Sequence, residues 1–353
     1  MYAKTRGRHR FVARRRPAGG HRSAGLSGTA ETRRRSAALG AVVALGLVAA
    51  ACSTGSEAGP EGARPTFARA NGSSLAFEEP VANVSDLLAP AAEGEPWTIV
   101  GSVFDPDSRA AVATVWTADD ARSWESTTVD PRSQGTGETM AAAVATDDGT
   151  VAVGQVGDGA EADAAIWQLT DGEWHQSLPE ALAGDHEQWA FDVVSGEGGM
   201  LIAGGENVWG EVRPRLWFSP DGETWTSVDG GAGGPLDATG EESVHDIAAV
   251  GSGFVAVGSR TIDNEQDGLA WYSPDGETWE QVEAPATAVP GSRQELLTVT
   301  STGTEVVAGG YASDANGQGQ PIVWRSADGR TWDPGVGPLP MSDRRNAASD
   351  LAV

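Results

Sequence analysis

An all-β chain made from one repeated four-stranded unit is the fold class this sequence predicts, and three observations predict it. The first is a nine-residue stretch, Trp271-Tyr272-Ser273-Pro274-Asp275-Gly276-Glu277-Thr278-Trp279. It recurs nearly unchanged at residues 217–225 and 324–332, and in worn form at 116–124 and 167–174. The second is the period: the leading tryptophans stand 51, 50, 54 and 53 residues apart, and a fixed period near 50 marks a repeat architecture. The third is a short apolar strand ending in glycine upstream of each copy, among them Val151-Ala152-Val153-Gly154 and Phe254-Val255-Ala256-Val257-Gly258. Four short antiparallel strands in each Gly- and Trp-rich unit describe the blade of a β-propeller.

Within a unit, the first strand is exemplified by residues 245–250 and the second by the apolar run ending in glycine. The nine-residue stretch supplies the last two strands. Asp-Gly between strand-like segments is a strong hairpin signal, because glycine takes φ > 0 freely and aspartate accepts hydrogen bonds from the backbone just beyond it. A two-residue loop would set Ser273 opposite Thr278 and Tyr272 opposite Trp279, which carries the tryptophan back to pack. The sequence Ser219-Pro220-Asp221-Gly222-Glu223-Thr224-Trp225 resembles the Asp-box, or BNR, repeat of sialidase-like propellers, although the residue that family usually has between Asp and Gly is missing. The resemblance covers about residues 64–353. It implies a structural role for Asp221, Gly222 and Trp225, for Asp275, Gly276 and Trp279, and for Asp328, Gly329 and Trp332.

Five units are clear, and a split sixth is expected. Phe67-Ala68-Arg69-Ala70-Asn71-Gly72-Ser73-Ser74-Leu75 aligns with the hairpin at 324–332, and Ser349-Asp350-Leu351-Ala352-Val353 resembles an opening strand. Joining the two ends in one blade would close the ring and leave no open sheet edge.

Residues 1–51 read as an export signal: Lys4 and ten arginines precede a small, apolar run over 36–51, too short for a comfortable membrane span. Cys52, the only cysteine, follows that run directly. Val48-Ala49-Ala50-Ala51-Cys52 resembles the lipobox of bacterial lipoproteins, with Ala49 where leucine is commoner. The resemblance implies cleavage before Cys52, lipidation of its thiol and an extracytoplasmic protein anchored to the cell membrane. Residues 52–63 follow as a polar tether rich in Gly, Ser, Glu and Ala, and 64–353 form the propeller.

The chain has 24 basic and 50 acidic residues, net −26. Without the leader, 13 basic and 49 acidic residues remain, net −36, with no lysine among them. That balance excludes nucleic acid and anionic lipid headgroups as partners. An unknown extracellular protein, peptide or glycan fits better, bound by a monomer.

No catalytic residue is singled out. A sialidase would need clustered arginines, a tyrosine nucleophile and a neighbouring glutamate. After the leader only Tyr272 and Tyr311 remain, and Arg213-Pro214-Arg215 is the one tight arginine pair, read here as part of a loop. The three histidines, His175, His186 and His245, fall in different repeats. Carboxylates abound in the loops after the second strands. Asp263-Asn264-Glu265-Gln266-Asp267-Gly268 starts like a calcium loop but has Pro274 where the closing glutamate belongs. A sharper feature is Asp86, Asp192, Asp246 and Asp350 at one repeat position near the start of the innermost strand, with Ala142 and Leu297 near it in the other units. In a closed ring these four converge and become the candidate ligand-binding residues; calcium is the cofactor such a set could take, and the alternative is that each caps a local turn. The preferred reading is a binding module without enzymatic activity. The alternative is an extracellular glycoside hydrolase or lyase of sialidase-like fold, using paired carboxylates.

Overall fold

The structure, a computed structural model, describes residues 82–334 except 92–93, 130–136, 229–235, 237–240, 263–264, 283–292, 303–304 and 314–318. The leader, Cys52, the tether, the hairpin at 67–75 and the strand containing Asp350 lie outside the described residues.

Five four-stranded antiparallel sheets follow one another along the chain, each a simple meander. Blade 1 holds β1 (Ala82–Leu88), β2 (Trp97–Asp105), β3 (Ala110–Ala118) and β4 (Glu125–Thr128); blade 2 holds β5 (Glu138–Thr146), β6 (Gly149–Val156), β7 (Asp163–Thr170) and β8 (Glu173–Ser177). Blade 3 is β9 (Glu187–Gly196), β10 (Gly199–Val208), β11 (Glu211–Ser219) and β12 (Thr226–Ser227). Blade 4 is β13 (Glu241–Val250), β14 (Gly253–Ile262), β15 (Glu265–Ser273) and β16 (Glu280–Val282). Blade 5 is β17 (Arg293–Ser301), β18 (Val306–Ser313), β19 (Gly319–Ser326) and β20 (Trp332–Pro334). Successive sheets pack face to face, and the first strands of neighbouring sheets lie against each other. This is the all-β propeller architecture the repeat predicts.

The second strands are apolar at consecutive positions because both of their faces are buried. Along β14, Phe254 and Ala256 enter a core shared with blade 3, whereas Val255 and Val257 enter the core shared with blade 5. Four of the five leading tryptophans pack backward, each in a core shared with the preceding blade. Trp167 meets Val100 and Val115 of blade 1, Trp217 meets Val153 and Ile166 of blade 2, Trp271 meets Leu201 and Leu216 of blade 3, and Trp324 meets Val255 and Ala270 of blade 4.

The glycines read as strand ends lie instead inside the second strands. Every first strand carries a β-bulge opposite such a glycine, in blade 5 Gly310 rather than the Gly309 that ends the apolar run, with Ser85, Ala141, Phe191, His245 and Leu297 left out of register. The bulge tips a carbonyl onto the partner strand. A Cβ on Gly101, Gly154, Gly204, Gly258 or Gly310 would collide with the carbonyl oxygen of Asn83, Thr139, Trp189, Ser243 or Glu295, respectively. Only glycine leaves that space.

The hairpins also depart from expectation. Trp271 pairs with Gln281 and Tyr272 with Glu280, while Ser326 pairs with Trp332. That is one residue away from the register of a two-residue loop. The cause is the aspartate side chain. Asp275 Oδ1 accepts from the backbone N–H groups of Glu277 (3.0 Å) and Thr278 (2.7 Å), and Ser273 Oγ accepts from Gly276 N (2.8 Å). The turn therefore closes through side chains over five residues. A one-residue slip exchanges the two faces of a strand, so Trp279 joins Trp271 in the core and its Nε1 donates to the Gly276 carbonyl at 3.0 Å. Asp221 and Asp328 make the same pairs of backbone bonds. In the worn first copy Asp120 does so too, with Ala121 at φ 54° where the other copies have glycine. The expected two-residue loop occurs only in blade 2, where Thr170 pairs with Glu173 around Asp171-Gly172.

Two substitutions test this packing. Trp271→Ala should lower stability by about 3–5 kcal/mol, and Gly258→Ala by about 1–3 kcal/mol through forced displacement of the Ser243 carbonyl. Urea unfolding followed by circular dichroism measures both; a Gly258→Ala protein as stable as the parent would refute the steric account of the bulge.

Candidate functional site

The recurring aspartates immediately follow the bulges. Asp86, Asp192 and Asp246 face Val100, Ala203 and Val257 on their second strands. The blade 2 equivalent is Ala142, and the blade 5 equivalent is Thr298, since Leu297 is itself the bulged residue. Each carboxylate bonds in two directions. One oxygen accepts from the next residue's N–H: Leu87 to Asp86 at 2.8 Å, Val193 to Asp192 at 2.8 Å, Ile247 to Asp246 at 2.9 Å. The other accepts from the first strand of the following blade: Ala143 to Asp86 at 2.9 Å, Ile247 to Asp192 at 3.1 Å, Val299 to Asp246 at 2.7 Å. These side chains join blade 1 to 2, 3 to 4 and 4 to 5.

The structure brings Asp192 and Asp246 together and leaves Asp86 in a different seam; Asp350 is outside the described residues. Desolvation, followed by the negative charge of Asp246 and a hydrogen bond between the two carboxyls, holds the Asp192 carboxyl well above the usual carboxylate range. Desolvation also raises Asp246, opposed by bonds from Asp192, Val299 N and Thr298. A proton on Asp192 donated to Asp246 satisfies both groups. Among the described residues no three His, Cys, Asp or Glu side chains converge as metal ligands.

A second polar group lies between blades 4 and 5. His245, pushed out of register by its bulge, places Nδ1 2.7 Å from the Leu296 carbonyl oxygen and Nε2 2.9 Å from Ser243 Oγ. A carbonyl can only accept, so Nδ1 carries a hydrogen, and in the neutral imidazole Nε2 then accepts from the serine. Glu295 Oε1 stands 3.5 Å from Nε2, and Ser259 Oγ 3.3 Å from Ser243 Oγ. A single histidine separated from the others in sequence gave no sign of this cluster, because the bulge and the neighbouring blade assemble it.

Asp105, Asp163, Glu206 and Glu211 of the loop carboxylates are engaged with neighbouring groups. Asp105 closes its own turn by accepting from Asp107 N, Ser108 N and Ser108 Oγ, bonds that lower its pKa. Asp163 accepts from Gly184 N. The arginine pair lies in strand β11 rather than in a loop, with Arg213 3.2 Å from Glu211 and Arg215 3.7 Å from Glu206. Glu138 and Glu242, by contrast, are buried at the starts of β5 and β13, three residues before the bulges.

One surface residue escaped the sequence reading. Trp209 occupies the tip of the β10–β11 hairpin, 89 % exposed, with φ 57°. Val208 pairs with Glu211, which makes Trp209-Gly210 a two-residue loop with both φ positive. Asparagine, aspartate or glycine ordinarily occupies that first position. A tryptophan beside Gly210 at a strand junction was the available signal.

No family model and no curated protein matches the chain. Solved structures resemble it at low identity. The α-L-arabinofuranosidase of Lactobacillus brevis is 9 % identical with a TM-score of 0.40, over 75 % of this chain and 97 % of that one. The exo-β-1,3-galactanase of Clostridium thermocellum is 13 % identical with a TM-score of 0.38, over 70 % of this chain and 60 % of that one. The sucrose-6-phosphate hydrolase of Lactobacillus gasseri is 12 % identical with a TM-score of 0.36, over 68 % of this chain and 53 % of that one. The chain thus spans between half and two thirds of the length of the last two. Likeness at this level assigns neither activity nor substrate.

Two outcomes are expected at the aspartates. A carboxyl raised above its unfolded value loses stability as pH climbs from about 4 through the folded pKa. Asp192→Asn should therefore gain on the parent between pH 4 and 8, which urea unfolding at a series of pH values measures; a constant difference would place the proton elsewhere. Because the carboxylate oxygens accept backbone N–H groups, the melting temperature should be the same with calcium and with chelator, and a calcium-dependent rise would show that these oxygens bind metal.

Proposed function

We propose that this chain is an exported bacterial lipoprotein, anchored to the cell membrane through lipid on Cys52, whose propeller is an extracytoplasmic binding module. The leader and the lone cysteine behind it support the anchor, and the net charge of residues 52–353 argues against nucleic acid. The observation that carries the binding reading is the difference between the two ends of the blades. At one end, blades 3, 4 and 5 repeat the same aspartate-closed turn. At the other end, the loops after the second strands of blades 1, 2 and 3 differ: an aspartate turn at 105–109, a 3-10 turn at Gly159–Glu161 and the Trp209-Gly210 hairpin. A repeated turn serves the scaffold, whereas differing loops on a rigid scaffold are where recognition is placed.

A second reading, an extracellular glycoside hydrolase, draws support from Glu138 and Glu242. They are buried carboxylates at one repeat position and at the same end as the differing loops, and glycoside hydrolysis uses a pair of such groups. Arg260 Nη1 stands 4.0 Å from Glu242 Oε1, a partner that suits a structural carboxylate at least as well as a catalytic one.

The two readings separate in one experiment. The protein is expected to be retained on insoluble cell-envelope material or on polysaccharide without releasing reducing ends. Release of reducing ends that disappears in Glu242→Gln would establish the hydrolase instead. Cys52→Ala should move the protein out of the membrane fraction; a lipid-modified mature form persisting in that variant would refute the anchor.

A further inference from the structure

We infer that Trp209 is the stacking platform of a binding site for a neutral sugar ring at the outer end of blade 3, an inference that rests on the binding-module reading. The residue is placed against both of its own preferences. A tryptophan ordinarily buries its ring, and Trp209 is more exposed than Phe104, Leu178 or Val212, the other large apolar side chains at the surface of the described residues. A residue with a Cβ ordinarily avoids φ near +60°, and Trp209 sits at 57°. An asparagine there would be easier to fold. A backbone outlier carrying a solvent-facing aromatic points toward a ligand.

The surroundings select the class of ligand. The hairpin is rigid to its last pair, because Asn207 Oδ1 accepts from Gly210 N at 2.9 Å and Asn207 Nδ2 donates to Glu187 Oε2 at 3.1 Å. The rings of His186 and Trp209 make a T-shaped contact, with centroids 5.3 Å apart and planes at 71°, and the indole still remains 89 % exposed. Nearby in the same hairpin, Glu211 and Arg213 form an exposed ion pair at 3.2 Å. The hairpin that carries the indole thus also bears carboxylates, an amide and an arginine, with Val212, 61 % exposed, as its one other exposed large apolar side chain. A protein hot spot wants its aromatic anchor amid further apolar contacts that exclude water. A pyranose presents the complement of what is found here: a patch of C–H bonds for the indole, and hydroxyl groups at the edge that can donate to carboxylates and accept from Asn207 or Arg213. The net charge of −36 on residues 52–353 disfavours uronates, sulfated glycans and other polyanions.

The test uses the full-length protein in detergent and soluble neutral β-glucan, galactan and arabinan as probes, with binding read by affinity electrophoresis and titration calorimetry. At least one polysaccharide should bind the parent. Trp209→Asn, which suits a two-residue turn with positive φ, should lower that affinity at least tenfold while the melting temperature stays level or rises; Trp209→Tyr should keep part of the affinity. Affinity unchanged in Trp209→Asn would overturn the platform and leave the binding-module reading standing. So would a parent that binds none of the three polysaccharides yet captures an envelope protein through Trp209. Conversion of the polysaccharide into shorter products, abolished by Glu242→Gln but not by Trp209→Asn, would overturn the binding-module reading and with it this inference.

Discussion

Where each first strand bulges, a backbone carbonyl leans into space that the second strand must leave empty. Much of the architecture follows from that contact. The bulge offsets the strand by one residue, and the residue after it can turn toward the next sheet. In blades 1, 3 and 4 that residue is an aspartate, and its carboxylate takes one N–H from its own strand and one from the neighbour. The glycine opposite belongs to the same device, since any side chain there would meet the carbonyl. Blade 2 has Ala142 at the position, and it is joined to blade 3 by other bonds instead, from Gln168 Nε2 to the Gly222 carbonyl at 3.1 Å and from Trp217 Nε1 to the Ala181 carbonyl at 2.7 Å, which shows that the carboxylate is not required at every seam.

The turn at the other end of the blades follows a comparable rule. Its aspartate carries two backbone N–H groups, and this holds Asp221 down to about pH 2. Such groups are ionised over the whole working range, and their support is withdrawn only as pH falls below about 4 toward the folded pKa. The two sets of aspartates therefore respond to pH in opposite senses. The exposed turn carboxylates favour the folded state when ionised, and the enclosed Asp192 favours it when protonated.

Much of this was legible in the sequence, for physical reasons. The period, the apolar runs and the buried tryptophans could be read because both faces of a propeller sheet are covered, which leaves few polar interruptions. The register of the long hairpins was misread because the residue string Asp-Gly fits two turns. The choice depends on where the Asp275 and Ser273 side chains point, as the two-residue loop at Asp171-Gly172 shows by contrast. The aspartates were found at equivalent positions, but their bonding could not be foreseen, since the N–H groups of Ala143, Ile247 and Val299 belong to other blades. The bulges are nearly silent in sequence apart from their glycines. The Ser243–His245 contact and its link to Leu296 were therefore hidden as well. Trp209 was passed over because a tryptophan is expected to be core.

The backward packing of the leading tryptophans gives the chain a direction of assembly. Each sheet is local, four strands joined in order, so most contacts within it span few residues. Trp167, Trp217, Trp271 and Trp324 then each find their partners in residues already synthesised. From blade 2 onward, a chain emerging from its amino end does not have to hold a finished blade's tryptophan open while it waits for the next. From blade 2 onward, the face that each new unit covers is the forward face of the sheet before it.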